Sequence, residues 1–220
     1  MTCLCLTRNR RQWLPQAIRC FRWQTYPPES RELLILADGE DVRDLVEDTE
    51  ASNVRLVVIE PGRKIGEKRN FGTDMAQGEI VAAWDDDDYS APGRLADQVD
   101  RLASSGKAVT GYHSMLFTDG RGQWWRYAGV PNYALGTSLC YRREWGHANP
   151  FQAIQVGEDG AFVQRAYIKH QLVSVDAREL MVASVHGGNT SPRNLSGSSW
   201  KKLGPMELSR GHSLGSWPVS

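Results

Sequence analysis

Apolar and polar positions follow two alternating patterns along the first half of the chain. Mostly apolar runs, interrupted only by Thr2 and Arg55, cover residues 1–6, 33–37, 54–59 and 80–84 and are typical of buried parallel strands. Segments with apolar positions at helical spacing cover residues 11–23, 42–49, 66–76 and 92–103. This alternation predicts an α/β fold with a Rossmann-like, mostly parallel central sheet and helices on both faces. Ligands of such sheets bind beyond the carboxyl ends of the strands.

The second half of the chain has a different pattern. Residues 108–127 and 136–141 are predicted to form β-structure, residues 159–168 a helix and residues 172–185 mostly extended chain. The segment after His186 is rich in Gly, Ser, Asn and Pro, which predicts a polar tail at 191–220 that is mobile or orders on binding. We therefore expect one domain over residues 1–190, divided near residue 105.

Composition and charge narrow the class of protein. The chain has 220 residues, 40% hydrophobic and 24% charged, with a formal net charge of zero. These values are typical of a globular domain and give no sign of a polyanion partner. Four cysteines without CxxC spacing predict reduced, buried thiols. No signal peptide or membrane span is evident, so we expect a cytoplasmic protein, with peripheral membrane contact as the alternative.

The most informative motif is the aspartate run from Asp85 to Asp88, directly after an apolar strand. Adjacent carboxylates repel one another unless a cation neutralises them, and oxygen ligands suit Mg²⁺ or Mn²⁺. In an extended segment Asp85 and Asp87 share one side, so this pair can face a metal-bound diphosphate. An acidic surface turn is the alternative interpretation.

The residues around this run resemble the DXD region of family 2 glycosyltransferases. The matching positions are Asp85, Asp87, Asp88, Tyr89 and Pro92. Further segments resemble other motifs of that family, in the family's order: Leu6-Thr7-Arg8-Asn9-Arg10, Gln24-Thr25-Tyr26-Pro27, Leu34-Ile35-Leu36-Ala37-Asp38-Gly39, Lys68-Arg69-Asn70-Phe71-Gly72 and Gly157-Glu158-Asp159. The resemblance extends over residues 1–190.

The resemblance implies a single GT-A domain, a nucleotide-sugar donor and a Mn²⁺ or Mg²⁺ cofactor. Residues 1–105 would then form the nucleotide-sugar-binding half, and residues 106–190 a smaller, β-containing acceptor half. The implied donor-binding residues are Thr7, Arg8, Asp38, Lys68, Arg69, Asp85 and Asp86. The implied metal ligands are Asp87, Asp85 and His186.

The catalytic group implied by the resemblance is Asp159, with Glu158 beside it as partner or substitute. Transfer with inversion needs a carboxylate that takes the proton of the acceptor hydroxyl. Helix capping by these two acids is the alternative interpretation. In the acceptor half, the aromatic residues Trp125, Tyr141 and Trp145 are candidates for acceptor binding.

The resulting functional hypothesis is a metal-dependent inverting glycosyltransferase that uses a UDP-sugar and a glycan or lipid-linked acceptor. The resemblance favours uridine as the base of the donor, with guanosine as the alternative, because the second strand ends in Ala37-Asp38-Gly39-Glu40 and lacks the first acid of the commoner Asp-Asp-Gly-Ser. A transferase acting on hydroxylated bases of modified DNA is an alternative. Others are a non-catalytic nucleotide-sugar-binding module and a sugar-1-phosphate nucleotidyltransferase, although residues 7–13 lack the latter's glycine-rich loop.

Overall fold

The computed structural model describes residues 1–47, 53–176, 179–190 and 194–204. The strands are β1 (Thr2–Thr7), β2 (Glu32–Asp38), β3 (Val54–Ile59), β4 (Ile80–Ala83), β5 (Tyr89–Ser90), β6 (Val109–Thr118), β7 (Trp124–Ala128), β8 (Cys140–Arg142), β9 (Leu172–Asp176), β10 (Met181–Ser184) and β11 (Trp200–Leu203). The helices are α1 (Leu14–Arg22), α2 (Arg43–Glu47), α3 (Ile65–Met75), α4 (Arg94–Ser105), α5 (Arg143–Ala148) and α6 (Glu158–Ile168). Short 3₁₀ turns cover Pro28–Ser30 and Gly136–Ser138.

The strands form one mixed sheet whose main path is β11-β7-β6-β8-β4-β1-β2-β3; off this path, β9 and β10 also pair with β6, and β5 pairs with β10. The strands of the first half, β3, β2, β1 and β4, are parallel to one another. The pairs β4–β8, β8–β6 and β6–β7 are antiparallel. The predicted α/β class and parallel first half are therefore confirmed, and the second half extends the same sheet.

Side chains of the parallel strands alternate between two hydrophobic cores. On one face, Cys3, Leu33 and Ile35 pack with apolar side chains of α1 and α4. On the other face, Leu4 and Leu34 pack with the core that contains residues of α6. Every residue of β2 is buried, as expected for a parallel strand covered on both faces. This arrangement fixes the carboxyl ends of β1, β2 and β4 along one edge of the sheet.

The structure differs from the sequence prediction at residues 136–138, in the tail and at α5, which was not predicted. Residues 136–138 form a 3₁₀ turn rather than a strand, since the N–H of Ser138 bonds to the carbonyl of Leu135 at 2.9 Å. In the tail, where no element was predicted, β11 pairs antiparallel with β7. Residues 48–49 of the predicted second helix, and 191–193 and 205–220 of the predicted tail, lie outside the described residues.

None of the helices in the described part of the chain combines the length and apolar character that crossing a membrane requires.

Candidate active site

A cleft of about 140 Å³ opens at the carboxyl ends of β1 and β4, where the aspartate run begins. In open α/β sheets this edge is where ligands bind. The cleft brings together residues from both halves of the chain. The predicted site residues in its wall are Arg69, Asp85, Asp86, Asp87, Glu158 and Asp159.

A larger concavity, of about 790 Å³, lies at the amino ends of the strands, with Met1, Glu32 and Asn53 in its wall. Glu32 is already bound by the hydroxyl of Thr2 at 2.5 Å and by Arg55 at 3.1 Å. Among the described residues, the group of acidic side chains able to hold a metal ion lies in the smaller cleft. The chemistry of its side chains therefore assigns the site to the smaller cleft.

The aspartate run is held by hydrogen bonds from distant parts of the chain. Asp88 is buried, and its Oδ1 accepts the backbone N–H of Ser184 at 2.9 Å. Its Oδ2 accepts the hydroxyl of Thr137. Arg10 Nη1 donates to Asp86 Oδ1 at 3.1 Å and to Asp87 Oδ2 at 2.9 Å. These contacts fix the run where β4 ends.

The carboxylates of Asp85, Asp87 and Asp88 fit a divalent metal ion. One oxygen atom of each lies within 4.8 Å of the others. Burial, followed by repulsion from Asp85 and Asp86, raises the pKa of Asp87 to about 7. Burial and repulsion from Asp87 also raise the pKa of Asp88 well above its usual range. A divalent cation would relieve this repulsion, and carboxylate oxygens are ligands that Mg²⁺ and Mn²⁺ prefer.

His186 lies beside Asp87, with Nε2 3.0 Å from Asp87 Oδ2 and its ring stacked on Trp13 at 5.1 Å. Its Nδ1 accepts the N–H of Gly188 at 3.1 Å, which places the proton of a neutral ring on Nε2, facing Asp87. Burial and the nearby charge of Arg10 lower the pKa of His186 and so favour the neutral ring. In this geometry His186 is a hydrogen-bond donor to Asp87, and its role as a metal ligand stays a prediction.

A second polar group surrounds Asp38 at the end of β2. Lys68 Nζ lies 2.8 Å from Asp38 Oδ2, and Arg8 Nε lies 3.9 Å from the same oxygen. Thr7, also buried, ends the neighbouring strand and pairs with Ala37. Among the described residues, the buried Oδ1 of Asp38 has no hydrogen-bond partner. Because such an orphaned oxygen is costly, it fits a ligand that donates a hydrogen bond, such as a ribose hydroxyl.

Glu158 and Asp159 form the first turn of α6. The residue before them, Gly157, has a φ of 87°, a left-handed conformation that glycine adopts without strain. Glu158 Oε1 accepts a hydrogen bond of 3.0 Å from Arg69 Nε. Burial raises the pKa of Glu158, and the charge of Arg69 opposes that shift. Asp159 is half-buried, and its Oδ1 accepts the adjacent N–H of Gly160 at 2.8 Å.

The 3₁₀ turn Gly136–Ser138 links the two groups of acids. Thr137 binds Asp88 through its hydroxyl, whereas a Cβ at Gly136 would lie 2.0 Å from Asp159 Oδ2. The buried Arg94 holds the turn in place, because its Nη2 donates to the carbonyl of Thr137 at 3.1 Å. The same nitrogen donates to the carbonyl at the end of β4, at 2.7 Å. The turn therefore sets where both acids stand in the cleft.

The predicted acceptor-binding aromatics lie in the hydrophobic cores and not in the wall of the cleft. Trp125 is 9% exposed and packs in the core beneath β6 and β7. Tyr141 packs against Phe162 at 5.1 Å, and its hydroxyl lies 2.8 Å from that of Thr73. Trp145 packs on the same core. Trp125 and Tyr141 lie on strands of the sheet and Trp145 on α5, and all three pack into the cores, so the structure does not bring them to the acids.

Several cleft residues received no role from the sequence. They are Arg10, Gly136, Thr137, Gln155, Ser184, Asn189 and Thr190. The Gly136–Ser138 turn was interpreted as part of a strand, and its contact with Asp88 spans 49 positions. For Arg10 a signal was available, because a basic residue just after β1 lies at the same sheet edge as Asp85.

Comparison with known proteins identifies the family. Residues 3–160 match the family model described as Glycosyl transferase family 2. A search of curated proteins found no match.

Solved structures with the same fold include TarS from S. aureus and a mannosyltransferase. TarS 1-349 in complex with UDP-GlcNAc has a TM-score of 0.72 at 20% identity, over 86% of this chain and 59% of that chain. Its complex with UDP has a TM-score of 0.70 at 20% identity, over 84% of this chain and 60% of that one. Mannosyltransferase PcManGT from Pyrobaculum calidifontis, in complex with GDP-Man and Mn²⁺, has a TM-score of 0.66 at 17% identity, over 86% of this chain and 58% of the mannosyltransferase chain.

The chain spans about 60% of the length of the TarS 1-349 chain, and at these identities the likeness shows the fold. That fold is the GT-A type predicted from the sequence. With the family model matching residues 3–160, the chain belongs to glycosyl transferase family 2.

Proposed function

We propose that the protein is a metal-dependent, inverting glycosyltransferase that moves a sugar from a nucleotide-diphospho-sugar to a hydroxyl of a glycan or lipid-linked glycan. One observation carries this proposal: the oxygen trio of Asp85, Asp87 and Asp88 and the carboxylate of Asp159 share one cleft. The trio suits a diphosphate with its metal ion, and Asp159 suits the acceptor hydroxyl.

The donor proposed is a UDP-sugar. The nucleoside would lie against Asp38, whose free Oδ1 can accept a hydrogen bond, with Thr7 and Arg8 beside it. The diphosphate would extend towards the aspartate run, where the fork of Arg69 suits a phosphate. Complexes of TarS with UDP and UDP-GlcNAc support uridine, whereas the mannosyltransferase was solved with GDP-Man.

Asp85 and Asp87 would hold a Mn²⁺ or Mg²⁺ ion, with Asp88 and His186 beside them. When bound, the ion would stabilise the negative charge that develops on the departing diphosphate. Arg69 lines the same cleft and adds fixed positive charge near that leaving group.

Asp159 acts as the general base in this proposal. Its carboxylate takes the proton of the acceptor hydroxyl while that oxygen bonds to the anomeric carbon. The bond from this carbon to the diphosphate oxygen breaks on the opposite face, and its electron pair leaves with the nucleoside diphosphate, so configuration inverts. Glu158, paired with Arg69 at 3.0 Å, holds the start of α6 in place.

The acceptor proposed is a glycan, because polar side chains line the cleft beside Asp159. Gln155, Asn189 and Thr190 offer amide and hydroxyl groups that suit sugar hydroxyls. Ile154 and Val156, which flank Gln155, are 39% and 53% exposed. Apolar side chains at this rim suit the carrier part of a lipid-linked glycan.

The activity test is release of UDP from UDP-sugars with Mn²⁺ and a panel of glycan, lipid-linked glycan and hydroxylated DNA acceptors. Asp159→Asn should lower kcat by about 10²–10⁴-fold, because its amide cannot accept the proton, and leave UDP affinity unchanged. Asp87→Asn should also abolish the dependence of UDP binding on Mn²⁺.

The matched control is Asp74→Asn, since that aspartate is 69% exposed on α3. It should retain full activity. Wild-type turnover in Asp159→Asn or Asp87→Asn would contradict the role proposed for that residue. Turnover with hydroxylated DNA as the sole active acceptor would contradict the glycan acceptor and favour DNA in its place.

A further inference from the structure

Arg10 places a positive charge directly on the carboxylates expected to face a metal ion. Its Nη1 lies 3.1 Å from Asp86 Oδ1 and 2.9 Å from Asp87 Oδ2. The same oxygen of Asp87 has a second contact, with His186 Nε2 at 3.0 Å. Protein donors therefore already occupy Asp87 Oδ2.

The guanidinium of Arg10 also holds residues 186–190 against the cleft. Its Nη2 donates to the carbonyl of Gly188, whose own N–H donates to His186 Nδ1 at 3.1 Å. The ring of His186 stacks on Trp13, and the backbone N–H of Trp13 bonds to the carbonyl of Arg10 at 2.9 Å. The loop between β1 and α1 therefore binds residues 186–190 through the guanidinium of Arg10 and the ring of Trp13.

We propose that Arg10 is a tethered counter-ion that metal and donor displace. In the donor-free protein it neutralises Asp86 and Asp87 and closes residues 186–190 over the cleft; when the donor binds, it passes from Asp87 to the diphosphate. This inference rests on the proposed function. A guanidinium and a divalent cation repel each other at contact distance, so both cannot keep their full interaction with Asp87.

The position of Arg10 suits the second half of this exchange. Its side chain lines the cleft and is 20% exposed, so it reaches the space beside the aspartate run after leaving Asp87. Its planar fork matches the oxygens of a phosphate as well as those of a carboxylate. Release of Gly188 would also loosen the segment that orients His186.

A tethered counter-ion and a static brace predict different effects of removing the charge. If Arg10 only holds the loop in place, its loss leaves buried carboxylates unpaired and loosens the site, so the affinities for both the metal ion and the nucleotide fall. If Arg10 competes with the metal ion, its loss strengthens metal binding and weakens nucleotide binding. Opposite changes in the two affinities are therefore the signature of the exchange.

Calorimetric titration of the full chain with Mn²⁺, and then with UDP and GDP at saturating Mn²⁺, tests this. Arg10→Gln should bind Mn²⁺ alone about fivefold more tightly, because a competing positive charge is gone. It should bind the nucleotide about tenfold more weakly, because a charge-assisted hydrogen bond to the diphosphate is lost. If this variant does not fold, Arg10→Lys should change both affinities in the same directions but less.

The matched control is Arg11→Gln, because Arg11 is adjacent, 44% exposed and paired with Asp44. Its affinities should equal those of the wild type. Unchanged or weaker Mn²⁺ binding by the Arg10 variants, with a wild type that binds Mn²⁺ and nucleotide, would overturn the inference and leave the proposed function standing. A wild type that binds neither nucleotide with Mn²⁺ would overturn both.

Discussion

At the scale of single residues, the environments of the acids separate their roles. Asp87 is buried among like charges, which raises its pKa to about 7, and two cationic or donor side chains contact it. Asp159 is half-buried, and its Oδ2 lies against Gly136, in the space that a side chain at that position would fill. The first environment calls for a cation, and the second leaves a carboxylate available to take a proton.

The space at Gly136 gives a prediction about Asp159. In Gly136→Ala the new methyl group would lie 2.0 Å from Asp159 Oδ2, so the carboxylate must move. Displacing a catalytic group by about 1 Å can cost about 100-fold in rate, so kcat should fall by up to that factor while UDP affinity stays unchanged. Steady-state kinetics and a UDP titration measure the two quantities.

Gly160→Ala is the control for this change, since that glycine follows Asp159 directly and a Cβ there meets no atom within 4 Å. Alanine in a helix should stabilise the protein by about 0.5–1 kcal/mol and leave kcat unaltered. Wild-type kcat in a well-folded Gly136→Ala variant would argue against Asp159 as the base.

At the scale of elements, the first half was predictable because its strands are mostly apolar runs. The strand β2 is buried along its whole length, and its polar residues, Glu32 and Asp38, stand only at its two ends. Residues 136–138 were wrongly predicted as a strand, because their turn depends on contacts with Asp88 and Arg94 from elsewhere in the chain. The strand β11 was not predicted because its two central residues, Lys201 and Lys202, are exposed and charged, so only its end residues are apolar.

The edge strand β11 gives a prediction about stability. Its Trp200 packs against Phe117 at 4.6 Å and Tyr127 at 5.0 Å. Removing this half-buried ring in Trp200→Ala should lower the free energy of unfolding by about 2–3 kcal/mol, less than the roughly 3–5 kcal/mol that deletion of a fully buried aromatic ring costs. Urea unfolding measures the loss. Binding of UDP should not change, because β11 lies outside the wall of the cleft.

Trp23→Ala is the matched control, because that ring is 48% exposed. Its stability should lie within about 0.5 kcal/mol of the wild type. Equal stability of Trp200→Ala and Trp23→Ala would mean that β11 does not contribute to the folded domain.

At the scale of the whole molecule, the sheet order decides what meets at the cleft. Parallel strands bring the ends of β1 and β4 together, and β10 carries residues 183–190 to the same edge. The sequence predicted Asp85, Asp87 and Asp159 through their motifs. The position of Arg10 just after β1 indicated the edge of the sheet where it lies but not its contact with Asp87. That contact, and the inward packing of Trp125 and Tyr141, depend on packing between distant segments.

The central claim is that the aspartate run binds a nucleoside diphosphate through a divalent metal ion. Thermal unfolding of the wild type with UDP or GDP, each with and without Mn²⁺, tests it most directly. Ligand at about 100 times its Kd adds about 2.7 kcal/mol of stability, so UDP with Mn²⁺ should raise the Tm by several degrees. The shift should vanish without Mn²⁺ and in Asp87→Asn. An equal shift without the metal, or no shift with either nucleotide in folded protein, would contradict the claim.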